Sequence, residues 1–450
     1  MIDKTLKKLK DFLSESEVVG LKKFLKYLGS NETALTISRL STQEQNKLLT
    51  TLDPPDAANV IKKVSDKQAV NLIADLPIEN AAAIVDEIPS DKKAAILRQM
   101  GKKDAEVILE EMKPDVAEDV RKLLKYDQDT AGGLMISEYV AYEEQNLVSQ
   151  VLHDLQNNRD KYKNYNVLYL YVTDSSGKLT GVLRMHDLLF KPDNMILKEF
   201  MITKPHCIKN TASLGKLREF FSEHKLFGVP VVDSEKRLIG VVRPKAVEEA
   251  YHKQADRQFL GFSGIIGGDE FRTMPLVSRS RRRLSWLSIN IFLNVLAASV
   301  IAYYQDTLSA VIVLAVFLPM ISDMSGCSGN QAVAVSMREL TLGLIRPKEI
   351  FRVISKEAWL GVINGLALGI LLGLITFIWK GNPYLGIVVG CALMVNTVIS
   401  VVMGGCLPLI LKSVKLDPAL VSSPILTTIT DMCGFFLVLS FATVLLSKLS

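Results

Sequence analysis

Apolar residues recur every twelve positions along the first part of the chain, at Leu28, Leu40, Leu52, Val64, Leu76, Ile88, Met100, Met112 and Leu124. Small residues follow the same beat at Ala57, Ala69, Ala81, Ala94, Ala105 and Ala117. Pro54, Pro55, Pro77, Pro89 and Pro114 punctuate it, and Asp or Ser stands beside several of them as a helix start. One long helix would not tolerate those prolines. Each period therefore reads as a short helix and a turn, and stacked periods bury the aliphatic positions as a helical solenoid.

The pattern then changes to period two. "YLYVTDSSGKLTGVLR" and "VPVVDSEKRLIGVVR" align so that Asp174 matches Asp233 and Gly181 matches Gly240, each pair 59 residues apart. Each copy reads strand, tight turn, strand, after a helix at Val148–Asn157 or Leu214–Ser222. The duplicated α+β unit resembles a tandem CBS pair, which usually regulates a neighbouring domain and sometimes binds adenine nucleotides. The nucleotide motif of such domains ends in Gly, two apolar residues, Ser/Thr, two more, then Asp. Here Arg184 replaces the hydroxyl residue and Asp187 is retained, whereas the second copy has Arg243 and Ala246. Asp187 is thus the one candidate nucleotide-binding residue.

Beyond residue 283 the chain turns apolar. Residues 284–337 carry two charged side chains, Asp306 and Asp323, and residues 359–447 carry five: Lys380, Lys412, Lys415, Asp417 and Asp431. Five membrane spans are predicted, at Leu284–Tyr304, Leu308–Met337, Ala358–Trp379, Tyr384–Leu411 and Ala419–Ser447. Arg279–Arg283, then Arg338 to Lys356, then Lys412 and Lys415 alternate with loops that are poor in bases. That alternation predicts a cytoplasmic N-terminus and an external C-terminus. The charged N-terminus has no apolar signal core, which agrees. Gly261, Gly264, Gly267 and Gly268 interrupt the helical pattern just before the first span.

Composition narrows the chemistry. The net charge is +5 and its bases cluster at membrane edges, so nucleic acid is not an expected partner. Five scattered cysteines form no disulfide framework. No HExxH, nucleophile elbow or kinase signature is present, so no enzyme is expected. Asp323 and Asp431 stand inside spans, where a carboxylate costs roughly 2.5–3.5 kcal/mol. No Lys or Arg lies in the apolar part of any span to offset that cost. Two readings remain: a protonated acid bonded to hydroxyls such as Thr427, Thr428 or Thr430, or an ionised acid facing a cation. "PMISDMSGCSGNQ" (Pro319–Gln331) offers oxygens for a hard cation. Pro319 frees a carbonyl, Gly326 and Gly329 allow close backbone approach, and Asn330 and Gln331 add amides. Here the helix is expected to be interrupted.

Taken together the chain resembles the MgtE family of magnesium transporters or channels, over nearly all its length and in the family's order. "YDQDTAGGLM" (Tyr126–Met135), "RRRLSWL" (Arg281–Leu287) and "TTITDMCG" (Thr427–Gly434) are similar to its signatures. The resemblance implies a helical N domain over 1–129, CBS domains over 130–199 and 200–250, a plug helix over 251–283 and a five-span pore domain over 284–450. It implies Mg²⁺ as the transported ion, a homodimer with the pore between subunits, a multi-pass place in the cell membrane, and Asp431 as pore ligand. Asn330, Asp323, Gln331 and Gly329 are the accompanying pore candidates. The family's second span usually reads Gly-Gly-Asn-x-Gly-x-Gln; here Cys327 stands for the first asparagine and Asp323 is an added acid. A thiolate at Cys327 favours softer metals such as Zn²⁺ or Co²⁺, and a neutral thiol only removes an oxygen. The alternatives are thus transport of such an ion, or a membrane-anchored sensor that transports nothing. In the family, cytosolic Mg²⁺ bridges acids and shuts the pore. The candidate sensor acids here are Asp56, Asp86, Asp91, Asp233, Glu235, Glu248, Glu249 and Asp256, with Asp53, Glu87, Asp269 and Glu270 nearby. Arg243, Pro244, Lys245 and Ala246 stand where the family places two aspartates, and bases there repel a divalent ion.

Overall fold

Ten helices, from Ile2–Glu15 to Pro114–Leu124, occupy the first part of the chain among the described residues. The computed structural model describes residues 2–15, 17–162, 165, 168–265, 276–414 and 416–449; Gly267, Gly268, Asp269, Glu270 and Lys415, named above, lie outside the described residues. From Leu28 to Met112 the twelve-residue beat falls at or just after helix ends, and these aliphatic residues are buried. Ala57, Ala69, Ala81, Ala94, Ala105 and Ala117 are buried inside the helices. From Pro54–Lys63 onward each helix packs on the one two places along, which buries both sets, all but Ala94 in one continuous core. Ser41 and Ser65 cap their helices by accepting from Glu44 N and Gln68 N at 3.3 Å.

At the junction, Asp129 N donates to Asp127 Oδ1 at 2.8 Å and Thr130 Oγ1 to Asp127 O at 2.7 Å. A Cβ on Gly133 would lie 2.1 Å from that same carbonyl, so only glycine closes this turn. Beyond it come two like sheets. In the first, β1 (Val140–Glu143) runs parallel to β2 (Tyr169–Thr173), which pairs antiparallel with β3 (Leu179–Arg184) and then β4 (Ile202–Thr203). In the second, β5 (Ile208–Lys209) runs parallel to β6 (Val229–Val232), which pairs antiparallel with β7 (Leu238–Val242). The register slips at Val172/Thr173 and again at Val231/Val232, the same step of the repeat. Asp174 and Asp233 cap equivalent turns, each accepting from backbone N–H groups two and four residues on.

The chain divides into two units, Met1–Tyr251 and His252–Ser450, and the division falls inside the helix Pro244–Phe262. Among its described residues the second unit holds five long helices: α1 (Leu276–Tyr303), α2 (Leu314–Leu342), α3 (Ile350–Lys380), α4 (Pro383–Ser413) and α5 (Pro418–Val444). Four stretches among the described residues are long and apolar enough to cross a membrane: Arg279–Tyr303, Pro347–Lys380, Pro383–Ser413 and Val421–Val444. α2 is not among them; Ser322, Asp323, Ser325, Ser328, Asn330 and Gln331 make its middle polar.

α4 is the most enclosed of the five and packs against α2, α3 and α5. Its contact with α3 is backbone on backbone. A Cβ on Gly365, Gly369 or Gly373 would come within 2.7, 2.6 or 2.9 Å of a carbonyl oxygen of α4. Side-chain donors tie the other helices together: Ser400 Oγ donates to Ser325 O at 2.5 Å, Ser336 Oγ to Gly405 O at 2.8 Å, and Asn396 Nδ2 to Thr430 O at 3.0 Å. Lipid offers little hydrophobic drive between helices, so close backbone approach and such bonds carry the packing.

The expected interruption at Pro319–Gln331 is absent. α2 stays helical throughout, and the chain breaks earlier, at Val311–Val313, between Gln305–Ala310 and α2. Pro319 is the sixth residue of α2, so the N–H it lacks would have served only a carbonyl of the first turn. Gly329, expected to open the backbone to an ion, packs on α4: a Cβ there would meet Ser400 Oγ at 2.2 Å. A Cβ on Gly404 would lie 2.2 Å from Gly329 O. Gly404→Val is expected to overpack this crossing and destabilise the helix bundle by about 1–3 kcal/mol. Its detergent-solubilised melting temperature, followed by size-exclusion after heating, should fall by several degrees while Gly326→Ala, whose added Cβ meets nothing nearer than Thr430 Oγ1 at 3.9 Å, leaves it close to wild type.

Candidate functional site

Asp431 lies on α5 and is partly buried against α2, where Ser322 Oγ donates to its Oδ1. No lysine, arginine or histidine pairs with it among the described residues. The hydroxyls expected to serve it point elsewhere. Thr427 Oγ1 donates to Ser423 O at 3.0 Å, Thr428 Oγ1 to Pro424 O at 2.8 Å, and Thr430 Oγ1 to Thr427 O at 2.9 Å. Each is satisfied by its own helix, and the partner comes from the next helix instead. Ser322 itself is one polar residue among several in the α2 stretch, with no spacing to single it out.

Helical phase sorts the other candidates. Asp323, Cys327 and Gln331 follow one another at i, i+4 and i+8 and form an exposed stripe of α2. Asn330 lies at the edge of that stripe, half-buried, and its Oδ1 has no hydrogen-bond partner among the described residues. Gly329 faces the opposite way, into α4. The structure thus brings Asp431 to Ser322, leaves Asp323, Cys327 and Gln331 on a free face, and withdraws Gly329 from it. Two further groups carry no motif in the sequence. Asn396 is fully buried in α4 with an unpartnered Oδ1, and Glu357 in α3 presses its side chain on Gly405 with Oε2 buried and unpartnered, both among the described residues. Glu357 stands just outside the charge-poor window 359–447.

All the candidate sensor acids but Asp256 lie in the first unit, dispersed and mostly held by bases. Among the described residues no three His, Cys, Asp or Glu side chains come together as a metal site. Lys22 pairs with Asp53, and with Asp56 at 2.9 Å. Asp233 is a turn cap, not an open ligand: Oδ1 accepts from the backbone and Oδ2 from Arg237 Nε at 2.9 Å, while Glu235 sits 3.3 Å from the same guanidinium. Glu249 is 3.6 Å from Lys245, and Glu248 and Asp256 lie along the same Pro244–Phe262 helix. Asp86 is half-buried with Oδ1 unpartnered among the described residues, and burial raises its carboxyl above the usual range.

Asp91 is the most telling of these acids. Arg243, one of the bases that replace expected acids, donates to Asp91 Oδ2 at 3.1 Å and so ties the solenoid to the end of β7. Beside it, buried Ser90 is gripped by Glu138, which accepts from Ser90 N at 2.9 Å and Ser90 Oγ at 2.6 Å; Ser137 N donates to Ser90 Oγ at 2.9 Å. These contacts need no ion. Asp187, the nucleotide candidate, is also occupied: Arg184 Nε and His186 Nε2 both lie 2.9 Å from its carboxylate.

Comparison with known proteins follows the same division. Residues 318–441 match the family described as divalent cation transporter, residues 28–129 the MgtE intracellular N domain, and residues 197–253 the CBS domain. The chain is 30% identical over 334 residues, 74% of each chain, to the magnesium transporter MgtE of Thermus thermophilus. It is 29% identical over 330 residues to that of Bacillus subtilis, covering 73% of this chain and 72% of the relative. The crystal structure of the cytosolic domain of the Mg²⁺ channel MgtE in complex with ATP is similar at a TM-score of 0.50 and 26% identity, over 54% of this chain and 99% of that one.

Arg243→Ala is expected to loosen the solenoid at Ser90–Lys93. A partly exposed charged pair contributes about 1 kcal/mol, so amide hydrogen exchange there should quicken roughly five-fold while exchange at Leu48 and Leu49, far along the solenoid, stays unchanged.

Proposed function

The chain belongs to the MgtE family, and from that premise we propose that it carries Mg²⁺ across a membrane, with its helical and CBS unit regulating the flow. The observation that carries this reading is Asp431: an acid in an apolar span, supported by one neutral hydroxyl and lacking a basic partner among the described residues. Such a group is costly unless a cation supplies the missing charge. Mg²⁺ keeps most of its waters and needs few protein oxygens, which suits a single carboxylate with a hydroxyl beside it.

In this reading α2 is the fifth span. Its 29 residues extend about 43 Å, ample for a hydrocarbon core of about 30 Å. The free stripe of Asp323, Cys327 and Gln331 would then meet lipid in a lone chain, and polar groups at that depth require protein or water. A second copy of the chain supplies it: the pore runs between two copies, and two Asp431 face one another. The N-terminus is cytoplasmic and the C-terminus external, with the domain limits drawn from the sequence. Cys327 on the same stripe is what favours the second reading, transport of Co²⁺ or Zn²⁺. ATP is no part of the reading, because the one candidate residue, Asp187, is already paired with Arg184.

Uptake into proteoliposomes, with Mg²⁺, Co²⁺, Zn²⁺ and Ca²⁺ compared, decides among these. Asp431→Asn removes charge without size and should cut Mg²⁺ flux at least ten-fold, the equivalent of about 1.4 kcal/mol, with normal dimer elution. Wild-type flux in Asp431→Asn would refute the pore assignment, and a preference for Zn²⁺ or Co²⁺ that reverts in Cys327→Asn would establish the second reading. Regulation has its own test. Because bases already hold Asp56, Asp91, Asp233 and Glu249, millimolar Mg²⁺ should protect the first unit from protease only weakly, no more than monovalent salt of equal ionic strength. Strong cooperative protection by Mg²⁺ alone would show a working ion sensor.

A further inference from the structure

A cavity of about 410 Å³ opens between α1 and α5, lined by Trp286, Asn290 and Asn294 on one side and Ser423, Thr427 and Thr428 on the other. Among the described residues its lining carries no acid and no base. Asn290 stands near the middle of the apolar stretch Arg279–Tyr303, where an amide facing lipid would be costly. The helix turns it inward. Trp286, Asn290 and Ala297 share the face of α1 that meets α5, while Ile291 and Phe292 are 64% and 77% exposed on the other.

The oxygens in this cavity are set to accept. Thr427 and Thr428 direct their hydroxyl protons to Ser423 O and Pro424 O, so their lone pairs remain for a visitor. Ser423 and Thr427 also precede Asp431 at i, i+4 and i+8 on α5, so the cavity begins within about 12 Å of that carboxylate. Its near wall is fixed by Gly264 at φ +78°, whose backbone lies so close to Trp286 that a Cβ would come within 2.3 Å of the indole. Size agrees with the chemistry. At about 30 Å³ per water, a cation with six waters takes roughly 200 Å³, which leaves room for exchange.

We propose that Asn290 and Asn294 line a water-filled vestibule through which the hydrated divalent cation reaches Asp431. The proposal rests on the reading of the chain as a cation transporter. Neutral oxygens suit a passage: they replace outer-sphere hydrogen bonds of the hydrated ion without holding it as a carboxylate would, and no ammonium repels it. Asn290 and Asn294 are thus positioning residues for the path, and Asp431 its inner ligand.

Two measurements test this. In proteoliposomes the double variant Asn290→Leu, Asn294→Leu should lose about ten-fold of Mg²⁺ flux while eluting as wild type. In a background with all five cysteines replaced by serine, Asn290→Cys should react with a charged, water-soluble methanethiosulfonate, and Mg²⁺ should slow the reaction. Ile291→Cys, on the lipid face, should stay inert. Wild-type flux in the double leucine variant overturns the vestibule, and so does a thiol in Asn290→Cys that is as inert as the one in Ile291→Cys. Either result leaves the transport reading intact if Asp431→Asn still abolishes flux. Absence of any divalent flux in the wild type defeats the transport reading itself. Labelling of Asn290→Cys that Mg²⁺ does not slow would show water without the cation and so also overturn the proposal.

Discussion

A carboxylate inside an apolar helix, bonded to a single hydroxyl and to no base among the described residues, is the constraint around which the second unit is arranged. The Ser322–Asp431 contact requires α2 and α5 to lie side by side at one fixed depth. That proximity is not left to those two residues. α4 clamps both helices, through Ser400 to Ser325 on α2 and Asn396 to Thr430 on α5. Thr430 immediately precedes the acid, so the amide of Asn396 anchors the very turn that presents it. A hydroxyl orients a carboxylate without neutralising it.

The first unit solves a different electrostatic problem. An acid-rich surface can be held together by divalent ions or by bases of its own. This chain places Lys22, Arg237, Arg243 and Lys245 against its acids, and lets Glu138 grip the buried Ser90. Burial pushes the Lys93 ammonium, one turn away, below the usual lysine range, with Glu138 opposing that shift. The Arg243–Asp91 pair joins solenoid to β7 with charges that both belong to the chain, and such a partly exposed pair is weakened by general screening.

How far these arrangements can be read in the sequence depends on whether the cause is local. The twelve-residue beat is local: each aliphatic residue closes its own helix, and the prolines that set the turns leave no other periodicity. The paired Asp174 and Asp233 of the duplicated sheets are local too, since each caps backbone N–H groups two and four residues away. Asp431 is legible for another reason, because lipid rejects it wherever it sits. Ser322 is not, since its importance is a contact 109 residues away in sequence. The stretch Pro319–Gln331 misleads because residues that weaken an isolated helix read as a break. In the bundle those same small residues are what α4 needs in order to approach, and neighbouring helices keep the segment helical. Arg243 can be seen to replace an acid, but not to have found Asp91, 152 residues earlier.

The glycine row Gly365, Gly369 and Gly373 sets limits on motion. Where two helices touch backbone to backbone, no side chain is present to change rotamer and absorb a displacement, so sliding or rolling raises repulsion at once. α3 and α4 therefore behave as a single rigid body, a stator. The same close approach at Gly329 and Gly404 holds the middle of α2 to this pair, which leaves the unhelical link at Val311–Val313 and the helix-end glycine Gly343 as the places where the chain can bend on either side of it.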